Sequence, residues 1–190
     1  MQRNILWTGI EYHSLENCLV KNTATGAEIN SVIVGRYSEK IYRVEYQIQT
    51  NQNWEVIFVE IKSQHSNKLD HVIFQSDAKG NWIQNGKPAT EFQGCIDVDI
   101  PLTPFTNTLP IKRLNMHHGK VNEIYVVYID LLERQITPVK QKYIRNSNTQ
   151  YHYENIPNDF EANIEVDELG YVVEYPSLFT RTFSVDSNFL

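Results

Sequence analysis

The stretch CIDVDIPLTPFTNTLPIKRL, residues 95–114, gathers the side chains of this chain whose types and spacing could do chemistry. Asp97 and Asp99 stand two residues apart on an extended segment, which sets their carboxyl groups roughly 6.5 to 7 Å apart on one face. Sugar hydrolysis asks for two carboxyls about 5 to 9.5 Å apart, but on opposite sides of the bond to be broken. Pairing with Arg113, or solvation, is the plainer fate of both. The catalytic alternative is an enzyme acting on a small acidic or sugar-like substrate through Asp97 or Asp99 with Arg113. Thr106, Asn107 and Thr108 follow, and then Lys112 beside Arg113. Hydroxyls, an amide and cations among apolar residues are the groups that fix a ligand's polar head at the mouth of a cavity. As scaffold, the same residues are helix caps and a solvated basic pair.

The remaining reactive types are dispersed. His117-His118-Gly119 reads as a polar turn, because adjacent histidines diverge on an extended chain and no carboxylate or cysteine lies at a familiar ligand spacing. His13, His65, His71 and His152 are scattered singles, and no nucleophile elbow, phosphate loop or dinucleotide fingerprint accompanies them. Cys18 and Cys95 lack CxxC spacing and are expected as reduced thiols within the fold. No metal site and no cofactor is expected. Trp7, Trp54, Trp82 and the eleven tyrosines fit core and cross-strand positions better than a sugar platform.

The elements that must position these groups are strands. In KIYRVEYQIQ, Tyr42, Val44, Tyr46 and Ile48 fall on one face and Arg43, Glu45, Gln47 and Gln49 on the other, the mark of a strand with one wet side. A turn at 50–53 leads into WEVIFVEIK, and the two form a hairpin. NWIQNGKP carries Asn85-Gly86 between short extended pieces, a hairpin cue because both turn positions need positive φ. EIYVVYID, PVKQKYIR, QYHYENI, FEANIEVD and YVVEY are each of strand length, and in FEANIEVD the alternation is strict. Strands recurring about every ten residues predict an antiparallel barrel, sandwich or roll. EFQGCIDVDI is expected as one more strand, with Ile96, Val98 and Ile100 on one face and Asp97 and Asp99 on the other. The period then breaks. Thr103-Pro104 and Thr108-Leu109-Pro110 both set a hydroxyl ahead of a proline, which is helix-start chemistry. They predict the chain's single helical element, as one short helix or two turns joined at Pro110, ended by Asn115 and Gly119. A lone short helix is marginal in water, so the sheet is expected to curl over it.

A chain of 190 residues is long enough for one domain over 1–190 with a continuous core. The net charge of −6 and pI near 5.5 argue against nucleic acid and against an anionic membrane surface as main partners, though a local basic patch is compatible. Nowhere do eighteen apolar residues run together, and the first residues lack an apolar run of signal-peptide length. A cytoplasmic protein without a membrane span is expected.

With these elements in place, GCIDVDIPLTPFTNTLPIKRL resembles the signature of the "putative glycolipid-binding" family, bacterial proteins long classed as a domain of unknown function. WTGIEYHSLENC, the GNW turn at Gly80 to Trp82, PVKQKYI and DELGYVVEYPSLFTR extend the likeness over nearly the whole chain. Lys112 stands where arginine is more frequent, and DLLERQITP is altered around Leu131 to Gln135. The resemblance implies a spiral β-roll, all-β and mainly antiparallel, with a many-stranded sheet wrapped around one short central helix, often as a homodimer. It also implies binding of a glycolipid or another amphiphile, by likeness to bacterial carriers that work outside the cytoplasm.

Three readings follow. The first is non-catalytic binding of an amphiphilic small molecule, its apolar part inside the roll and its polar head near Thr106, Asn107, Lys112 and Arg113. The second is the enzyme using Asp97 or Asp99 with Arg113, and the third is a structural dimerisation module. A long apolar cavity favours the first, a small polar cleft with a perturbed carboxylate the second, and a filled interior the third.

Overall fold

Period-two alternation in the sequence becomes strand along most of the chain, in a computed structural model that describes residues 1–65, 68–157 and 159–187. The strands are β1 (Gln2–Gly9), β2 (Ser14–Asn22), β3 (Gly26–Tyr37), β4 (Lys40–Asn51), β5 (Val56–His65), β6 (Lys68–Ser76), β7 (Trp82–Gln84), β8 (Lys87–Pro88), β9 (Asp97–Asp99), β10 (Val121–Asp130), β11 (Gln135–Arg145), β12 (Gln150–Ile156), β13 (Glu161–Val166), β14 (Val172–Tyr175) and β15 (Phe179–Ser187). The β3–β4 pair shows why they form. Ile29, Ser31 and Ile33 lie opposite Ile48, Tyr46 and Val44, and all six are buried. Each buried Ile or Val contributes roughly 1.5 to 3 kcal/mol on that face, while Asn30, Val32 and Val34 between them are exposed. At the β7–β8 turn Asn85 and Gly86 take φ of 48° and 78°, the left-handed pair that the Asn-Gly sequence announces.

All fifteen strands join one open sheet in the order β8-β7-β6-β5-β4-β3-β2-β1-β15-β14-β13-β12-β11-β10-β9. The chain walks from β1 out to one edge at β8. It then crosses to the other edge at β9 and walks back until β15 pairs with β1. Neighbours are antiparallel except β9 and β10, where 97–99 run alongside 126–128. A parallel pair cannot be joined by a tight turn and needs a crossover, and that crossover holds the helix α1 (Phe105–Leu114). The expectation of an all-β protein with one short helix is met, and the helix exists because of one parallel pair.

One expectation needs correction. EFQGCIDVDI is not one strand: only Asp97–Asp99 pairs, Thr90–Phe92 closes a 3₁₀ turn, and Gly94 takes φ 89°. The Gly94 N–H donates to the carbonyl of Gly80 at 2.9 Å, and a Cβ on Gly80 would lie 2.8 Å from the Gly94 Cα. Two loops meet backbone to backbone there, and the extended run stops. Of the two fates expected for the aspartates, Asp97 takes pairing with Arg113 and not solvation, since it is fully buried, while Asp99 is partly buried. The helix is a single one, with Pro110 inside it and Asn115 ending it in the left-handed conformation at φ 41°.

The core has two parts that meet along α1, β9 and β10. Val98, Phe105, Leu109, Val127 and Ile129 pack with the inward residues of the N-terminal strands. Ile111, Ile124 and Val126 pack instead with Tyr143, Tyr153, Ile164 and Tyr175. Although β10 lies next to a sheet edge, Val126 and Val127 on its two faces are both buried, and residues 105–111 of α1 are buried. Cys18 and Cys95 are free, buried thiols.

Candidate functional site

Burying Thr106, Asn107 and Thr108 inside a helix requires partners for their polar atoms. Thr106 donates its hydroxyl to Asp99 Oδ1 at 3.0 Å and accepts the Ile100 N–H at 3.3 Å. Gln141 Nε2 donates to Asp99 Oδ2 at 2.6 Å, and Asn107 Nδ2 donates to the Tyr143 hydroxyl at 2.9 Å. Helix, edge strand and β11 are thus tied through Asp99. Burial pushes the Asp99 carboxyl above the usual carboxylate range, and the donors Gln141 and Thr106 only partly oppose that.

Asp99 and Asn107 open onto a cleft of about 220 Å³, walled by Tyr12, Tyr128, Tyr153, Phe160, Tyr175 and Phe179, with Thr103, Glu11 and Asn155 among its polar groups. The rings form a continuous wall: Tyr153 and Phe160 each lie about 6 Å from Tyr175, at 6.2 and 6.1 Å, and Tyr12 stacks on Phe179 at 5.9 Å. Burial, and then the nearby Asp99, push the Tyr128, Tyr153 and Tyr175 phenols up. They therefore stay protonated and offer O–H donors at the edges of apolar faces. Carboxyl, amide and phenol groups around ring faces can grip a small polyol such as one sugar ring.

The two basic residues of the helix do not reach this cleft. Arg113 turns to Asp97, with Nε 3.1 Å from Oδ1 and Nη2 2.6 Å from Oδ2. Lys112 points to the other side, where its Nζ lies 4.5 Å from the Trp54 ring centre and 4.4 Å from that of Tyr171. Burial lowers its pKa to about 8, with Asp167 opposing and Arg3 adding to the shift. It borders a separate recess of about 230 Å³ with Arg145 and Asp167.

The sequence profile of the family described as "Putative glycolipid-binding" matches residues 4–181. The chain belongs to this family. A crystal structure of a DUF1089 family protein from Pseudomonas aeruginosa is similar to it with a TM-score of 0.80 and 28% identity, over 87% of this chain and 91% of that one. No curated protein matches it.

Within this family member, the residues singled out in the sequence divide three ways. Asp99 and Asn107 line the aromatic cleft, and Thr106 holds Asp99 from the helix. Asp97 and Arg113 form a buried pair behind it, and Lys112 sits alone between two rings. The separation of Lys112 from Arg113 is readable in the sequence, since adjacent residues on a helix point about 100° apart. The tyrosines that wall the cleft have only their inward phase on β10, β12 and β14 as a signal, which places each on a face but does not bring them together.

Thr103 and Thr108, both expected as caps, part company. Thr103 Oγ1 accepts the Phe105 N–H at 3.0 Å, while the Thr108 hydroxyl, fully buried, finds no partner. Thr103→Ala is expected to lower stability by at least about 1 kcal/mol, whereas Thr108→Val is neutral or stabilising because it removes an unsatisfied buried hydroxyl. Urea titration of both variants checks the contrast.

Proposed function

We propose that the cleft around Asp99 binds the polyhydroxylated head of an amphiphile, with the rest of the molecule lying outside it. The supporting observation is a ring-sized cleft in which Asp99, held by Thr106 and Gln141, faces a wall of protonated tyrosines. At about 220 Å³ it is smaller than the roughly 300 to 1,000 Å³ typical of pockets that enclose a whole drug-sized ligand, so it suits a head group and not acyl chains. The description of the family agrees with a glycolipid as that amphiphile. No helix among the described residues is long and apolar enough to cross a membrane. A cytoplasmic homodimer with the sheet rolled about α1 completes the proposal, and a monomer mass in light scattering would remove the dimer from it.

Native mass spectrometry of freshly purified protein, followed by titration with an alkyl glycoside below its micelle concentration, tests this reading. Binding is expected, and Asp99→Asn and Tyr128→Phe should each weaken it by about tenfold, the worth of one hydrogen bond to a charged or well-placed polar group. Retained melting temperatures would locate the loss in the site. No binding of any sugar-headed amphiphile by the parent protein would sink the reading.

A second reading is favoured by one observation: Glu11 lines the same cleft as Asp99, whose carboxyl burial pushes above the usual range. Two acidic residues at one cleft, one of them with a raised pKa, are the pairing used in glycoside hydrolysis. If the alkyl glycoside is consumed rather than merely bound, and Asp99→Asn stops its consumption, the chain is an enzyme. The residue beside Asp99 would then be Glu11 and not Asp97.

A further inference from the structure

On the outer face of β12 and β13, away from the cleft, three ligand-type side chains converge. His152 and Glu154 alternate on β12, and Glu161 lies directly opposite Glu154 on β13. Their nearest ligand atoms all fall within 4.8 Å of one another: His152 Nε2 is 2.8 Å from Glu154 Oε1 and 3.9 Å from Glu161 Oε2. Carboxylates placed directly opposite across two strands repel. Lys142 on β11 reaches Glu154 at 2.7 Å and with His152 holds the Glu154 carboxyl below its usual range.

The imidazole is oriented as well as near. Its Nδ1 lies 3.2 Å from Asn163 Oδ1 and its Nε2 lies 2.8 Å from Glu154 Oε1. In the tautomer with its hydrogen on Nδ1, the Nε2 lone pair and the carboxylate face one another and a cation between them serves both. Metal-bound histidines are held in this way, through a hydrogen bond at the other ring nitrogen.

We propose that His152, Glu154 and Glu161 form a divalent-cation site suited to zinc. One imidazole and two carboxylates are zinc donors, and ligand distances near 2.0 to 2.1 Å in a tetrahedral site set donor atoms about 3.3 Å apart. The two distances from His152, 2.8 and 3.9 Å, lie on either side of that spacing, and the two carboxylates lie within 4.8 Å of each other, so an ion would draw the three side chains together. The fourth position faces solvent beside Glu161, the most exposed of the three. A bound ion would clip β12 to β13, whose inward residue Tyr153 and neighbouring Phe160 wall the cleft. Lys142 is the competitor, since it occupies Glu154 whenever the ion is absent.

Metal-free protein is titrated with zinc chloride by calorimetry at about pH 7.5 and at about pH 5.5, where an imidazole holds its second proton. One zinc per chain is expected at the higher pH and loss of binding at the lower. Cobalt substitution should give the visible absorption of a four-coordinate ion. Glu161→Gln, at a well-exposed position, and His152→Ala should each weaken zinc by at least about tenfold, since removing even an outer partner of a metal ligand costs that much. Lys142→Met should tighten it, which a merely structural cluster would not show. The proposal fails if the parent protein binds no stoichiometric zinc. It fails equally if Glu161→Gln and His152→Ala bind as the parent does, which would put the ion elsewhere, for example at His117 and His118.

Discussion

Arg113→Ala is expected to destabilise the fold by about 3 to 5 kcal/mol at neutral pH, the cost of breaking a buried ion pair from one side. Asp97 is inaccessible to solvent, and Arg113 contacts both its oxygens from the last turn of α1. Burial already pushes the Asp97 carboxyl up, and Arg113 is the group that opposes this. Without the guanidinium, Asp97 must stay ionised in the core or take up a proton, and either state is costly. The double change Asp97→Val with Arg113→Met should recover most of the loss, because apolar replacement of a buried pair is often neutral. Urea and thermal unfolding of the single and double variants measure it. If Arg113→Ala unfolds like the parent protein yet loses affinity for an alkyl glycoside, Arg113 serves the ligand and the pair with Asp97 is incidental.

The same pair marks the limit of what the sequence makes legible. The hairpins β4–β5 and β7–β8 depend on contacts between residues close in the chain, so alternation and Asn85-Gly86 are enough to find them. Strand β9 depends on a parallel partner some thirty residues later, Val126 to Tyr128, and nothing local to IDVD announces it. Exposed alternation and buried polar alternation look identical in letters, and for that reason the sequence leaves both pairing with Arg113 and solvation open to Asp97 and Asp99. Their separate fates come from the elements that meet them: the end of α1 brings Arg113 to one, and β11 brings Gln141 to the other. The helix itself is legible from its proline-capped start, but Pro110 within it is tolerable only because tertiary burial of residues 105–111 outweighs one missing hydrogen bond. The cleft has the same character. Tyr128, Tyr153 and Tyr175 are placed on inward faces by period, and only the tertiary fold makes them neighbours around Asp99.

The buried polar group with the widest consequence for stability is Glu16, which lies on a strand that faces the core. Along β2 the inward positions are Ser14, Glu16, Cys18 and Val20, so a glutamate takes a core position where an apolar residue is the rule. Ser31 and Tyr46 donate to its Oε1 at 2.7 Å each, and Thr103 does so at 2.9 Å. Among the described residues its Oε2 has no partner, and the groups that meet it from β3, β4, the helix entrance and its own strand are hydroxyls and the Cys18 thiol. Burial raises its pKa from the usual 4.5 to about 7, against the pull of the three donors. Below about pH 4.5 the folded and unfolded chains both hold the proton, and stability is at its full value. Between about 4.5 and 7 the unfolded chain gives the proton up while the folded chain keeps it, so stability falls as pH rises. Above about 7 the loss is complete and amounts to about 3 kcal/mol, at roughly 1.4 kcal/mol for each pH unit that separates the folded from the unfolded pKa. Asp97 and Asp99, also raised, act in the same direction in any variant that retains them. Glu16→Gln cannot ionise, so the difference between parent and variant isolates Glu16. The variant is expected to lose less stability than the parent between about pH 5 and pH 8, and to be the more stable of the two at the upper end. Urea unfolding across that range decides it: parallel curves would mean that Glu16 is ionised in the folded chain, held by its three donors alone, and that Thr103 ties the helix entrance to a carboxylate and not to a carboxylic acid.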